Sequence, residues 1–191
     1  MRKITTKKDQ VRKTRKNQLI IGIVLIGLMV FSTVGYALVG NETDSSNSID
    51  YKGVEFVEDS GYWFFSVQGI DFSTIYNPLE LEDIVPVVYS TFNSYSNKPL
   101  YFVGEGDAVY EIARNLNPFV LRIQSSCLSN EDCLGDFPIK DCSLDNVIII
   151  REPLENENEF VYQEENCVFI VSNSENQAEY ADAFLFKILG I

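Results

Sequence analysis

Histidine is absent from the 191 residues. Its absence removes Ser-His-Asp and Cys-His catalysis, and with them every metal site that needs an imidazole. Basic side chains are scarce after the first 18 residues: positions 41–191 hold seven Lys or Arg against 27 Asp or Glu. Such a surface makes few phosphate contacts, so nucleic acid is not an expected partner. No Cys-x-x-Cys pair occurs, which argues against redox catalysis, and no ectodomain lysine stands in a Ser-x-x-Lys arrangement. No internal repeat is visible. Charge is missing altogether over the 22 residues from Leu19 to Gly40.

What remains is ample for a folded core. Hydrophobic residues make up 46 % and aromatics 13 %, which excludes disorder as the overall state. The length suits one domain with an appendage.

The formal net charge of −13 is an average over two unlike parts. Residues 1–18 carry eight Lys or Arg and one Asp, giving +7, and residues 41–191 sum to −20. The neutral run between them would reach about 33 Å as a helix, against a hydrocarbon core of about 30 Å. Residues 19–40 are therefore read as a transmembrane helix. Basic residues before it and acidic residues after it place the N-terminus in the cytoplasm and the C-terminal domain outside. Gly35-Tyr36-Ala37 would suit a signal peptidase, but the apolar run exceeds the usual core of a cleaved signal, which favours an uncleaved anchor. Lys16-Asn17-Gln18-Leu19 resembles a pilin leader site without the small residue expected at Asn17. Residues 41–50 (NETDSSNSID) read as a polar linker. The acceptor pattern Asn41-Glu42-Thr43 within it lies too close to the membrane for ready glycosylation.

Residues 51–191 are expected to fold as an α/β or α+β domain with a mixed sheet and two or three helices, opening on an N-terminal β-meander. Val54 and Phe56, then Trp63, Phe65 and Val67, then Ile70, Phe72, Thr74 and Tyr76 each keep a period of two, with turns at Asp59-Ser60-Gly61 and Gln68-Gly69. This predicts three strands with an aromatic face, either core or a sugar-stacking surface. Val85, Val88, Tyr89 and Phe92 fit a helical stripe and predict a helix within residues 79–98, bounded by Asn97-Lys98-Pro99, although the composition suits a strand. Leu100–Val103, a helix from Asp107 with Val109, Ile112 and Leu116 inward, and a strand through Phe119, Leu121 and Ile123 suggest a parallel βαβ unit. Strands follow at Val147–Ile150, Phe160–Tyr162 and Cys167–Val171. A last helix, with Ser174 and Gln177 as a capping box, ends at Gly190.

Four cysteines, Cys127, Cys133, Cys142 and Cys167, share the second half of the chain. An even number in an oxidising compartment argues for two disulfides. Of the three connectivities, the favoured pairs are Cys127–Cys133, which closes a small loop, and Cys142–Cys167, which would tie the entry of Val147–Ile150 to the start of Cys167–Val171; the spacings do not offer the close pairs of a zinc site. Gly104-Glu105-Gly106 resembles the start of a dinucleotide fingerprint, but Val109 stands where the third glycine belongs. Asp141, Ser143, Asp145 and Glu152 fall at calcium-loop positions one, three, five and twelve, yet Asn146 replaces the glycine and Val147–Ile150 is a strand run. No cofactor is expected, with calcium on some other cluster of carboxylates as the alternative. Paired carboxylates for acid/base work could come from Glu80, Glu82 and Asp83, from Glu131 and Asp132, or from Glu155, Glu157 and Glu159, but nothing singles out a pair. No catalytic residue is assigned.

The basic leader, the apolar run LMVFSTVGYAL (28–38), the strand NCVFIVS (166–172) and the last helix ADAFLFKILGI (181–191) together resemble a family of uncharacterised archaeal membrane-anchored extracytoplasmic proteins. The resemblance implies an anchored, extracytoplasmic protein and brings neither activity nor site residues. The sequence thus points to a single-pass cell-surface protein with a structural or binding role, contacting the bilayer through residues 19–40 and an envelope protein or glycan beyond it. The alternatives are an extracytoplasmic carboxylate-dependent hydrolase acting on glycans and a pilin-like or surface-layer-associated subunit.

Overall fold

A computed structural model of the protein describes residues 16, 18–30, 47–129 and 135–191. The chain divides into two compact units, Met1–Ser45 and Ser46–Ile191. In the first, residues 18–30 form helix α1, and its Leu and Ile side chains are exposed. No helix among the described residues is long and apolar enough to cross a membrane. The expected span runs on to Gly40, and residues 31–40 lie outside the described residues, as do Asn41 and the linker up to Ser46.

The second unit begins with an antiparallel meander of four strands in sequence order: β1 (Ser48–Tyr51), β2 (Val54–Asp59), β3 (Tyr62–Val67) and β4 (Ile70–Thr74). Three strands were expected. The extra one, β1, takes in the end of the segment read as linker, because Ile49 pairs with Phe56 and packs against the aromatic core. The period of two is obeyed across the meander. Phe56, Trp63, Phe65 and Phe72 turn inward and are buried, so the aromatic face is core and not a stacking surface. Each such ring contributes roughly 1.5–3 kcal/mol by leaving water. Phe65 is the hub, with Phe56, Phe72 and Phe186 ring centroids at 4.5, 5.8 and 5.7 Å.

Residues 79–91 are not helical, contrary to the stripe read from Val85, Val88, Tyr89 and Phe92; only α2 (Phe92–Tyr95) forms a short turn there. The preceding stretch is extended. The Val87 amide donates to Val161 O at 2.8 Å, and Val87 O accepts the Gln163 amide at 3.1 Å. The Gln163 side-chain oxygen then accepts the Tyr89 and Ser90 amides. The backbone pairs with a sheet edge, and β-branched and aromatic residues suit that conformation better than a helix.

The main sheet has five strands in the order β10-β11-β9-β5-β6. They are β5 (Pro99–Val103), β6 (Arg122–Ser125), β9 (Val147–Arg151), β10 (Phe160–Glu164) and β11 (Cys167–Val171). All neighbours are parallel except β10 with β11, so the sheet is mixed. Helix α3 (Asp107–Leu116) joins β5 to β6, giving the expected βαβ unit, and α4 (Gln177–Leu189) follows β11. Between β6 and β9, a two-residue pair, β7 (Cys127–Leu128) and β8 (Ile139–Lys140), runs parallel. The described residues of the second unit thus form a mixed α/β fold with three helices, α2, α3 and α4, within the two or three expected for the domain.

Helices α3 and α4 start one and two positions away from the residues read as caps. Gly106 precedes α3, which places Asp107 in the first turn, and Asn176 precedes α4 in place of Ser174. Gln177 reaches across to α3 instead of back to Ser174, its oxygen lying 3.5 Å from the Ala108 amide. Gly190 ends α4 in the left-handed conformation. One face of the sheet packs Leu100, Phe102, Ile148, Ile150, Val168 and Ile170 against α3 and α4. The other carries Tyr101, Val147, Ile149 and Cys167 beneath Leu128 and Cys142. There Cys142 and Cys167 form a disulfide, Cα atoms 5.0 Å apart, which ties the loop before β9 to the first residue of β11.

Candidate functional site

The chain leaves β5 toward β6 on one side and leaves β9 toward β10 and β11 on the other. Two adjacent parallel strands whose connections diverge open a crevice at their carboxyl ends, where α/β proteins bind ligands. Here the crevice has a volume of about 500 Å³. Glu105, Gly106 and Asp107 line it after β5, Ile150, Arg151 and Glu152 at the end of β9, and Ser174 and Gln177 at the start of α4. Glycine is required at both positions of the strand-to-helix turn, at Gly104 by close approach of backbone and at Gly106 by its positive φ. A Cβ on Gly104 (φ +97°) would stand 2.2 Å from Ile150 O, and one on Gly106 (φ +124°) 2.0 Å from the Gln177 side-chain oxygen.

The chemistry of this crevice is not that of a phosphate cradle. Glu105, Asp107 and Glu152 bring negative charge to the helix N-terminus, and Gln177 already occupies the Ala108 amide. The one cation, Arg151, is held by Glu157 through two bonds of 2.7 and 2.6 Å. The same pairing holds the Glu157 carboxyl down at about 2, with the Leu154 amide assisting. The crevice suits a cationic or hydrogen-bonding group and offers no nucleophile with a base beside it.

A second cluster, absent from the sequence reading, lies between the meander and the helices. Asp182 of α4 and Glu111 of α3 are 0 % and 2 % exposed. One Asp182 oxygen, Oδ2, accepts the amides of Ile75 and Tyr76 at 2.9 and 3.0 Å. The other, Oδ1, faces no N–H donor. The Asp182 carboxyl is close enough to the Glu111 carboxyl for the two to interact, and Glu111 also pairs with Arg114. Two acceptor-only carboxylates cannot satisfy each other, so a proton belongs between them. Burial, and then the Glu111 charge, pushes Asp182 up to about 9. Burial raises Glu111 also, opposed by Arg114. Beside the pair, Asn115 accepts the Ser73 amide at 3.0 Å and donates to Ser73 O at 2.8 Å. Arg114 donates to the same carbonyl at 3.0 Å and lies over the Tyr62 ring. Side chains of α3 and α4 thus take the place of a further strand along the outer edge of β4.

The residues singled out from the sequence do not converge on one site. Glu80 accepts the Asn77 amide at a turn, and Glu82 and Asp83 are exposed. Glu155 is exposed; Glu157 holds Arg151, and Glu159 holds the Asn173 amide and the Asn176 side chain. Glu131, Asp132 and Cys133 lie outside the described residues. Cys127 is disulfide-bonded. Asp141 accepts from Ser143, and Asp145 pairs with Lys140. Strand β9 then carries Glu152 about 16 Å away from them, so those four positions do not wrap one centre. Among the described residues no group of three or more Cys, Asp or Glu is placed to hold a metal ion.

Comparison with known proteins returned no matching family model, no similar curated protein and no similar solved structure.

Proposed function

We propose that this chain is a single-pass membrane-anchored protein of the cell surface whose disulfide-stapled acidic domain binds or assembles with other envelope components. The observation that carries the reading is the Cys142–Cys167 disulfide, because such bonds persist in oxidising compartments. The charge split agrees with it: a basic leader, an uncharged run over residues 19–40, and a domain of −20. Geometry favours binding over catalysis. Of the only two carboxyls that share a buried site among the described residues, Asp182 holds the backbone just after β4 and Glu111 pairs with Arg114, and Trp63 is part of the meander core. The open face of the candidate crevice is acidic, so a partner would bring cationic or hydrogen-bonding groups to it.

Mass spectrometry of the intact protein from detergent-solubilised membranes, alkylated before and after reduction, tests this reading. The expected result is a full-length chain that takes no alkyl label until it is reduced. Loss of residues 1–37 would overturn the anchor, and four thiols labelled without reduction would overturn the extracytoplasmic placement. Protease added outside intact cells should remove the domain and spare residues 1–18.

A further inference from the structure

The meander and the α/β layers are joined by apolar contacts and by a polar seam that holds Glu111 and Asp182, the only acidic pair among the described residues with both members buried. We infer that Glu111 and Asp182 hold a single proton between them and act as a pH-sensitive latch: with the proton in place the edge of β4 stays docked on α3 and α4, and its loss frees that edge. Three observations support the latch. Asp182 Oδ1 is buried and has no hydrogen-bond donor of its own, and the carboxyl it belongs to interacts with that of Glu111. Asp182 Oδ2 takes two consecutive backbone amides, Ile75 and Tyr76, from the chain leaving β4. The seam is the same place where Asn115 and Arg114 grip Ser73.

The surrounding charges fix the direction. From α3 the pair meets Glu111's own partner, Arg114, which sits on the Glu111 side and favours that carboxylate. From the segment after β4 comes Tyr76, whose hydroxyl meets Glu179 of α4 and the charges of Asp182 and Glu80. From β3 Tyr62 covers Arg114. On its sheet side α4 presents Ala181, Phe184, Leu185 and Ile188 to Val161, Val168 and Ile170, none of which titrates. Deprotonated Asp182 would therefore face Glu111 with Arg114 as the single cation. Asp182 is raised in the docked state, so docking is strongest below the ordinary carboxylate range and weakens as pH rises toward about 9. Within that window the docking equilibrium falls about tenfold per pH unit.

Hydrogen exchange of the full chain in detergent reads this directly. Intrinsic exchange is base-catalysed and rises about tenfold per pH unit, so an amide released by the latch should accelerate about a hundredfold per unit. The amides of Ser73, Ile75 and Tyr76 should show the steep slope between pH 6 and pH 9, on the order of the window above, while amides of β9 and β11 keep the tenfold slope. Asp182→Asn and Glu111→Gln both keep the hydrogen-bonding shape and remove the shared ionisation. Either variant should return residues 73–76 to the tenfold slope. A tenfold slope at those amides in the unaltered protein would overturn the latch. So would a steep slope spread equally over β9 and β11, since that reports global unfolding, or a steep slope that survives in both variants.

Discussion

Replacing Cys142 and Cys167 together by alanine removes a ring closed across 25 positions of sequence. That ring contains β9, β10 and the start of β11, three adjacent strands of the main sheet. In the chain-entropy treatment, a ring of that size restricts the unfolded chain by about 12 cal/mol/K, or about 3.5 kcal/mol at 25 °C. Cys167 is fully buried among Tyr101, Val147 and Ile149, so alanine leaves a small void rather than an unpaired hydroxyl. The change should lower the melting temperature by about 7–14 °C, at about 2–4 °C per kcal/mol for a chain of this length. Urea unfolding of the full chain in detergent, followed by the fluorescence of Trp63, measures the loss. The m-value should rise, because the unfolded chain opens once the ring is cut. A loss below about 1 kcal/mol with an unchanged m-value would refute the chain-closure reasoning.

Phe65→Ala should cost about 3–5 kcal/mol in the same urea experiment, because Phe56, Phe72 and Phe186 all pack on that ring; a cost below about 1 kcal/mol would show a loose meander core. Asn115→Ala should cost about 1–3 kcal/mol by leaving the Ser73 amide without its acceptor, and that amide should lose exchange protection ahead of its neighbours. The Glu157 carboxyl, followed by NMR, should titrate at about 2. Its folded value lies below the unfolded one, so its contribution is present above the ordinary carboxylate range and is lost as pH falls toward 2. Arg151→Gln should carry the midpoint back toward the ordinary range, and an unmoved midpoint would rule out the ion pair as its cause.

Where one strand or helix carried its own repeat, the sequence was a good guide. Trp63, Phe65 and Phe72 keep strict alternation, and they are core. The run Val147–Ile150 is apolar at every position, as befits a central strand covered on both faces. Legibility failed where a partner distant in sequence made the choice. The spacing of Val85, Val88, Tyr89 and Phe92 is helical, but the Val87 backbone found the edge of β10, 75 residues on in the chain, as Val87 and Tyr162 face each other there. Ser48–Asp50 looked like linker because only pairing with β2 makes them a strand. Of the crevice, the turn at Gly104-Glu105-Gly106 was readable from glycine spacing. That Glu152 and Gln177 would join it was not, because their arrival depends on β9 lying between β5 and β11. The buried acids left one faint trace: Asp182 is a lone charge in the apolar stretch ADAFLF of residues 181–186. Glu111 left none, sitting among ordinary polar residues of an amphipathic helix.

The side chains that seal β4 bear on how copies of this protein behave when crowded. An open strand edge is a template for zipping one molecule onto the next. The outer edge of β4 is occupied by Asn115 and Arg114. The outer edge of β10 is occupied by the stretch around Val87, where Pro86 presents no N–H to a newcomer. Among the described residues the remaining edges of the two larger sheets, β1 and β6, are four residues long each, and the paired strands β7 and β8 two each, too short to nucleate a stable ladder on their own. A dense array of such domains can therefore stay side by side without fusing through its sheets, and any ordered assembly has to be built through side chains.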